Sequence, residues 1–498
     1  MSEHFTSRAE AEGDLLACAA YIGERIKSGD GRAEAMNSVV PRYLAKGSVD
    51  LAAELANSVD DPFSRDKLLT LVAEKCAEID DDEYALQLAD AVEDQGLQAQ
   101  ARERIALVKA SKGQLDKARE IGDTMAHADF VLGGIAVKQA ADGNTAAALE
   151  TLAGIDYPTA RVSALQQIAA SNIESDPVLA IDMLERAAAA ADAIEHDEEK
   201  IRVLCEIGNL FIEAKRNDKA IETFDTARGF AEILDNTHRD FFLAACALGF
   251  LHAGSDDLAD STLDLITDKT QMASALVGFA REQWKKDEKA EAVETLDEAY
   301  EILISQRDIE TRDSRARYAL LTTIAAQFAG FGKTEQAIEI ALENQNPDEQ
   351  LSALSQIVQI LTVQNEDDLA RQTLDIIADA AGRVFAVIAM ADVKEKRGES
   401  DAAAGLLDEA AALTEDVQQF ASRSSALNEI AIRFAGHGQT GRARELALKS
   451  LDAVAAIRDE SSQSDALAML AVVYDSIGLE IADEEKSRIN SLLRRVNL

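Results

Sequence analysis

Apolar residues recur along this chain of 498 residues with the spacing of a buried helical face, and one arrangement returns in a fixed phase. An apolar residue, here called the anchor, is followed by a small residue, by Gly, Asn or Asp eight positions later, and by Ala thirteen positions later. Val39, Gly47 and Ala52 form one such set. Thirteen anchors follow this pattern closely or loosely: Val39, Val72, Ile105, Ile135, Ile168, Ile207, Cys246, Phe279, Ile324, Ile357, Met390, Ile430 and Leu470.

The residues around each anchor predict two antiparallel helices. A Leu, Met or Val usually stands three positions before the anchor, and a large or aromatic residue such as Phe211 or Phe250 often stands four after it. These offsets mark one face of a helix. The residue at +8 ends the first helix, since Gly, Asn and Asp adopt left-handed backbone geometry at little cost. Pro62, Pro158 and Pro347 each lie ten positions before an anchor and predict the first turn of a helix.

The distances between anchors predict how the repeats are organised. Successive anchors are 33, 33, 30, 33, 39, 39, 33, 45, 33, 33, 40 and 40 residues apart. We expect the steps of 39 and 40 to add about one turn to each helix of a pair, because this preserves the buried faces. The step of 45 residues contains the polar stretch 305–313, and we expect an irregular loop or hinge at 305–315.

The two ends of the chain are predicted to be covers for the array. Segment 1–31, with a helix from Asp14 to Lys27, and segment 483–498 are read as capping helices, because an uncovered terminal repeat leaves its apolar face wet. Between them we expect one repeat array in two parts, 32–304 and 316–482.

Composition supports an all-α array. The chain has only 5 Pro and 26 Gly, and strong helix formers dominate. Single compact cores stop growing beyond about 250–300 residues, whereas a stack of repeats has no such limit.

The charge narrows the classes of partner. There are 91 acidic and 50 basic residues, and the formal net charge is −41. So negative a surface argues against nucleic acid, whose binding needs a basic stripe, and against anionic membrane surfaces. Two interpretations stay open: the acids keep the protein soluble in a salty cytoplasm, or they attract basic partners.

The pattern resembles a known family of repeats. The anchor, the small residue after it, the aromatic at +4 and the Ala at +13 are similar to the tetratricopeptide repeat (TPR), which has about 34 residues. Ala220, Phe224 and Ala227 after Ile207 match its second helix, and the resemblance extends over roughly residues 32–495. The early Trp of the family is absent. The resemblance implies a right-handed α-α superhelix of about thirteen TPR-like repeats whose first helices line a concave, protein-binding surface.

Residues with catalytic or metal-binding potential show no recognisable spacing. Cys18, Cys76, Cys205 and Cys246 lie far apart, which indicates free thiols in a reducing compartment. The six His show no i, i+4 pair, and no phosphate-binding or nucleophile motif occurs. We therefore expect no metal, no cofactor and no enzyme activity. Neither a signal peptide nor an 18-residue apolar run is visible, so we expect a cytoplasmic protein without membrane insertion.

Candidate binding residues follow from the offsets that face the concave surface in the family. The central repeats are richest there, with Arg202, Asn209, Phe241, His252, Arg281, Trp284 and Lys285. Aromatic residues and Arg dominate interface hot spots, and a cationic cluster could meet a carboxylate of a peptide. In the alternative, Trp284 only packs against the next repeat and Arg281 pairs with Glu282 or Glu288.

The leading functional hypothesis is a scaffold or adaptor that binds a peptide or amphipathic helix of a partner protein in the concave groove. A second hypothesis is a structural subunit of a larger multiprotein assembly, and a third is an enzyme with an unrecognised site. The identity of the partner and the oligomeric state stay open.

Overall fold

The computed structural model describes residues 4–305 and 314–496. The chain is 80% helical, and the described residues form 28 α-helices and no strand. Of the expected hinge at 305–315, residues 306–313 lie outside the described residues; the preceding helix ends at Ile304 and the next begins at Ser314.

The helices follow one another with short connections. The first fourteen are α1 (Arg8–Gly13), α2 (Leu15–Gly23), α3 (Gly29–Ala45), α4 (Val49–Asn57), α5 (Pro62–Glu78), α6 (Asp82–Ala91), α7 (Gln95–Ser111), α8 (Leu115–Gly122), α9 (Asp129–Ala141), α10 (Thr145–Ala153), α11 (Pro158–Asn172), α12 (Pro177–Ala191), α13 (Asp197–Glu213) and α14 (Asn217–Ile233). The others are α15 (Arg239–His252), α16 (Asp256–Leu263), α17 (Lys269–Lys285), α18 (Lys289–Ile304), α19 (Ser314–Gly330), α20 (Thr334–Glu343), α21 (Pro347–Val363), α22 (Asp367–Ile376), α23 (Ala380–Lys396), α24 (Ser400–Leu413), α25 (Phe420–Gly436), α26 (Thr440–Ala456), α27 (Glu460–Ser476) and α28 (Asp483–Val496).

The chain divides into two compact units. Unit 1 contains Met1–Val108 and Leu361–Leu498, and unit 2 contains Lys109–Ile360. The odd-numbered helices α3 to α27 carry the anchors and are the first helices of the pairs, and the even-numbered helices α4 to α26 return beside them. In unit 2 each first helix from α9 to α19 contacts the next first helix, so that these helices form one continuous row.

The residues that the repeat pattern predicts to face the core are buried in the structure. All thirteen anchors are at most 5% exposed. The large residues four positions later are buried as well, among them Phe211, Phe328 and Phe434. Pro62, Pro158 and Pro347 each begin a helix, as expected, because the missing N–H of proline costs nothing in a first turn.

The turns repeat the same phase in the backbone. A positive φ occurs at the +8 position after twelve of the anchors, at Gly47, Asp80, Gly113, Gly143, Lys215, Gly254, Asp287, Gly332, Asn365, Gly398, Gly438 and Gly478. Lys215 is unexpected there, since its Cβ makes the left-handed region costly. At the remaining position Asp176 has a φ of −143° and caps α12 by accepting a hydrogen bond from the Leu179 N–H.

The longer repeats have a longer second helix but not a longer first helix. The expectation that one turn is added to each helix of the pair is therefore wrong. Most first helices have 17 residues in short and long repeats alike, as in α3 and α13, and the exceptions α9, α11 and α15 are shorter. Second helices change from 9 residues in α4 to 17 in α14 and α26. A first helix has a neighbouring first helix on each side, which favours one length. The second helix can extend at its C-terminal end without disturbing that row.

Three aspartates tie successive repeats together. Asp66, Asp129 and Asp240 lie six positions before their anchors, and each of the three starts a step of 33 residues. The carboxylate of each accepts hydrogen bonds from two backbone N–H groups at the start of the next first helix: Glu93 and Asp94, Asp156 and Tyr157, and Thr267 and Asp268. These N–H groups have no partner within their own helix, so the carboxylate satisfies them and fixes the angle between repeats.

The two ends of the chain pack on each other in unit 1. Helix α2 contacts both α3 and α27, and α27 lies beside α3 as one first helix lies beside the next. The Ser464 hydroxyl donates to the Ala19 carbonyl at 2.9 Å, and Lys46 Nζ lies 2.8 Å from the Asp475 carboxylate. We call this contact of α1–α3 with α27 and α28 the terminal seam.

The terminal seam explains why α2 is apolar on all sides. All nine of its residues are buried. The expected N-terminal capping helix is therefore not at a free end: it occupies the place of a second helix for α27. Helix α28, the expected C-terminal cap, contacts α26, α1 and α2. Each end of the chain covers the apolar face of the other.

Candidate partner-binding surfaces

All seven predicted binding residues lie on three neighbouring first helices of unit 2. Helices α13, α15 and α17 contact one another in that order and form what we call the central surface. On it, Arg202, Asn209, Phe241, His252, Arg281 and Lys285 are exposed and Trp284 is half-buried. Phe241 and His252 are eleven residues apart on α15, about 16 Å along the helix axis, so the seven residues do not form one compact pocket.

Glu282 contacts two of the predicted binding residues. Its carboxylate accepts a hydrogen bond from Lys285 Nζ at 2.7 Å and lies 3.4 Å from His252 Nε2. Burial by itself would raise the pKa of Glu282. The Lys285 hydrogen bond and the nearby His252 outweigh burial and hold this pKa below its ordinary value. The charge of Lys285 is thus already compensated by a neighbour on α17.

Trp284 packs against the next repeat, which was the alternative interpretation. Its ring stacks on Phe331 with the ring centroids 4.1 Å apart and the planes 12° apart. Lys289 Nζ lies 5.5 Å from the Trp284 ring centroid. The indole therefore links α17 to the turn after α19, and its replacement would disturb the stack of repeats as well as the surface.

Phe241 and Arg281 stay available to a partner. Phe241 is 53% exposed, and its ring packs edge-on against Phe242 with 5.3 Å between the ring centroids. Arg281 forms no ion pair with any of the residues described, so the expected alternative pairing with Glu282 or Glu288 is not seen there. Arg202, by contrast, pairs with Glu206 one turn later in its own helix, at 2.5 Å.

A second surface, in unit 1, was not predicted. A groove of about 590 Å³ runs between α3, α25 and α27, and we call it the seam groove because α3 and α27 meet there. Three large apolar side chains are exposed in it: Ile432 (38%), Met469 (43%) and Val472 (44%). The hydrophobic effect favours covering such a group of side chains.

The rim of the seam groove carries surplus negative charge. Glu34 accepts a hydrogen bond from the Ser461 hydroxyl at 2.8 Å, and Asp465 accepts one from the Ser38 hydroxyl. Both hydrogen-bond partners are neutral and do not cancel the charge of the carboxylates, although Asp465 lies within electrostatic reach of the Arg42 guanidinium. Among the described residues that line the groove, Arg42 is the one cation, and its guanidinium donates to Ser38 and contacts the sulfur of Met469.

The pattern contained part of the signal for this groove. Ile432 and Val472 both stand two positions after their anchors, an offset that the family resemblance assigns to the concave face. The charged and aromatic residues at the concave offsets lie mostly in the central repeats and favour that surface instead. The other half of the groove comes from α3, whose Ser38 is 427 positions away from Asp465, and no local pattern brings these residues together.

Other kinds of site were also sought in the described part of the chain. Within residues 4–305 and 314–496, no group of three His, Cys, Asp or Glu side chains is arranged to hold a metal ion. None of the helices in these ranges is both long and apolar enough to cross a membrane.

Comparison with known proteins finds no related sequence, and the similarities to solved structures are distant. No protein-family model matches the chain, and no curated protein matches its sequence. Helical hairpins in a constant phase, with left-handed turns at the same offset, decide the architecture. The chain is a TPR-like α-solenoid. The exact number of repeats stays a prediction.

Three solved structures illustrate how distant the similarities are. The Ton1535 protein of Thermococcus onnurineus NA1 is 16% identical, with 71% of this chain and 98% of that chain covered and a TM-score of 0.26. The Naa15/Naa10 complex bound to HypK-THB is 12% identical, with 87% of this chain and 80% of that chain covered and a TM-score of 0.27. The signal-transduction ATPase of Pyrococcus horikoshii with a tetratricopeptide repeat sensor is 11% identical, with 97% of this chain and 87% of that chain covered and a TM-score of 0.26.

Proposed function

We propose that the protein is a non-catalytic scaffold that holds a segment of another protein in the seam groove. The observation that carries this proposal is the grouping of Ile432, Met469 and Val472, exposed side by side on α25 and α27, inside a groove with an acidic rim. The groove is built on first helices that are packed on both sides. It is therefore pre-formed, and a ligand need not order it.

The chemistry of the groove selects one kind of ligand. An amphipathic helix with apolar residues on one face fills the centre, and Lys or Arg side chains beside that face meet Glu34 and Asp465. The net charge of −41 speeds the encounter with such a basic ligand. An acidic helix of the same shape meets repulsion at the rim.

Synthetic helical peptides test this proposal. The first carries Leu on one face and Lys on the other, the second replaces Lys by Glu, and the third keeps Lys but replaces Leu by Ser. We expect only the first to bind, measured by calorimetry at physiological salt. Binding of the third with equal strength would mean that non-specific attraction of charge explains the result.

Paired variants locate the binding. Met469→Gln with Val472→Gln removes the apolar centre of the groove and should weaken binding of the Leu/Lys peptide by about tenfold, which corresponds to about 1.4 kcal/mol. The control is Val178→Gln with Ile233→Gln, at side chains of unit 2 that are 79% and 71% exposed. Equal affinities of the two double variants would refute the seam groove as the site.

The central surface is proposed as an additional contact for the same partner. It contains Arg202, Asn209, Phe241, His252, Arg281, Trp284 and Lys285, and Phe241 and Arg281 are two of its exposed residues. The test is Phe241→Ser with Arg281→Glu, with Trp284 left intact because it stacks on Phe331. If the seam-groove variant lowers the affinity for the partner and Phe241→Ser with Arg281→Glu does not, the central surface is not part of the binding site.

A structural role in a larger assembly is the second candidate. Phe130 and Tyr157 are both exposed and pack edge-on at 6.0 Å in unit 2, and such an aromatic pair is typical of an interface. This role predicts association that resists high salt. Light scattering that shows only monomer at every salt concentration would contradict it.

A further inference from the structure

Two of the four cysteines lie side by side in unit 2 although they are 41 positions apart in the chain. Cys205 on α13 and Cys246 on α15 have their sulfur atoms 3.8 Å apart. Cys246 is fully buried, whereas Cys205 is partly exposed. Cys18 and Cys76 are buried in unit 1, far away in the sequence. The pair therefore combines an accessible thiol with a protected one.

Small residues bring these two helices close together. Gly208 on α13 and Gly249 on α15 both lie against the ring of Phe224, where an added Cβ would come within 2.7 and 2.3 Å of ring carbons. The backbones of α13 and α15 therefore both pack directly against the buried ring of Phe224. The sulfur atoms must approach by less than 2 Å to reach the bond length of about 2.0 Å, and rotation of the partly exposed Cys205 side chain supplies part of that movement.

We propose that Cys205 and Cys246 are a redox-active dithiol that peroxide converts to a disulfide linking α13 to α15. Cys205 attacks one oxygen of hydrogen peroxide, the O–O bond breaks, water leaves and Cys205 becomes a sulfenic acid. Cys246 then attacks the Cys205 sulfur, the S–O bond breaks, and the hydroxyl leaves as water with the proton of Cys246. Two thiols and one peroxide thus give one disulfide and two waters.

The surroundings assign the two roles. The hydrogen bond with Cys205 and burial hold the pKa of Cys246 well above its ordinary value, so Cys246 remains a thiol until its partner is oxidised. Cys205 is the partly exposed member of the pair, so a small oxidant from solvent meets this residue first. Cys205 follows Arg202 by three positions and precedes Asn209 by four, so the disulfide would form under the central surface and tie two of its three helices together.

Mass spectrometry tests this inference directly. The full chain is treated with hydrogen peroxide, the remaining thiols are alkylated in denaturant, and the digested peptides are identified. We expect one linked pair of peptides containing Cys205 and Cys246, with the mass lowered by two hydrogen atoms, and alkylated Cys18 and Cys76. The reductant dithiothreitol should reverse the linkage. Cys205→Ser should abolish it and the control Cys76→Ser should leave it intact.

A chemical trap separates the two steps. In Cys246→Ser the sulfenic acid at Cys205 has no thiol to attack it, so dimedone should label Cys205 in this variant and not in the wild type. Circular dichroism of each variant is the control that its helices are retained. Wild-type protein that ends with sulfinic acid at Cys205, or that links Cys205 to a different cysteine, would overturn the proposal. So would a wild-type chain that stays unlinked while Cys205 is oxidised.

Discussion

Gly249 is the position where a single methyl group should do the most damage. A Cβ added there would lie 2.3 Å from Cε1 and 2.5 Å from Cζ of Phe224. The Phe224 ring is almost wholly buried and also lies against Gly208. It packs edge-on against Phe250, with the ring centroids 6.0 Å apart. Because backbone and rings surround it, the ring cannot move aside without shifting a helix.

Two opposing effects set the magnitude for Gly249→Ala. Overpacking a closed core costs about 1–3 kcal/mol, and replacing glycine by alanine inside a helix returns about 1 kcal/mol. We expect a net loss of up to about 2 kcal/mol of unfolding free energy. Gly229→Ala on α14 is the matched control, because its Cβ would meet nothing within 4 Å. There only the helix effect remains, and stability should rise by about 0.5–1 kcal/mol.

The sole tryptophan provides the assay. Trp284 lies in unit 2 and stacks on Phe331, so its fluorescence reports the unfolding of this unit in urea. Phe224→Leu should reduce the cost of Gly249→Ala in a double-mutant cycle, since the clash is with the ring itself. If Gly249→Ala and Gly229→Ala shift the urea midpoint in the same direction, the close contact with Phe224 is wrong.

Three further predictions concern the turns, the aspartate contacts and the terminal seam. Lys215→Gly should stabilise unit 2 by up to about 1 kcal/mol, because Lys215 has a φ of 58°, and Gly332→Ala at a φ of 74° should destabilise it; urea midpoints of equal sign would contradict this. Asp240→Asn should cost about 1.5–3 kcal/mol near pH 7, because the carboxylate accepts hydrogen bonds from Thr267 and Asp268. Burial would raise the pKa of Asp240, but those hydrogen bonds outweigh it and lower the pKa, so the stabilisation is complete above the unfolded value of about 3.9 and disappears as pH falls through the folded value. The difference between wild type and variant should therefore shrink in acid, and a difference that is constant with pH would rule out this cause. Leu16→Ala, at a fully buried position of α2, should speed hydrogen exchange in α27, and unchanged exchange there would argue against the terminal seam.

The repeat unit could be predicted from the sequence because its causes are local. An anchor and its neighbours bury one helical face, and Gly, Asn or Asp at +8 lowers the cost of a left-handed turn, as at Gly47 and Asn365. Both effects act within one hairpin. The order of the helices, the buried anchors and the prolines at helix starts therefore followed directly. The length of second helices did not, because no residue near the anchor depends on where a second helix ends.

Contacts between distant parts of the chain were decided by the tertiary structure alone. The pairing of Cys205 with Cys246, the stacking of Trp284 on Phe331 and the contact of Glu282 with His252 depend on how neighbouring helices are rotated, which side-chain packing sets. The terminal seam joins Ser38 to Asp465 across 427 positions. Its apolar helix α2 signals in the sequence that burial is needed, but only the folded chain supplies the surface that buries it.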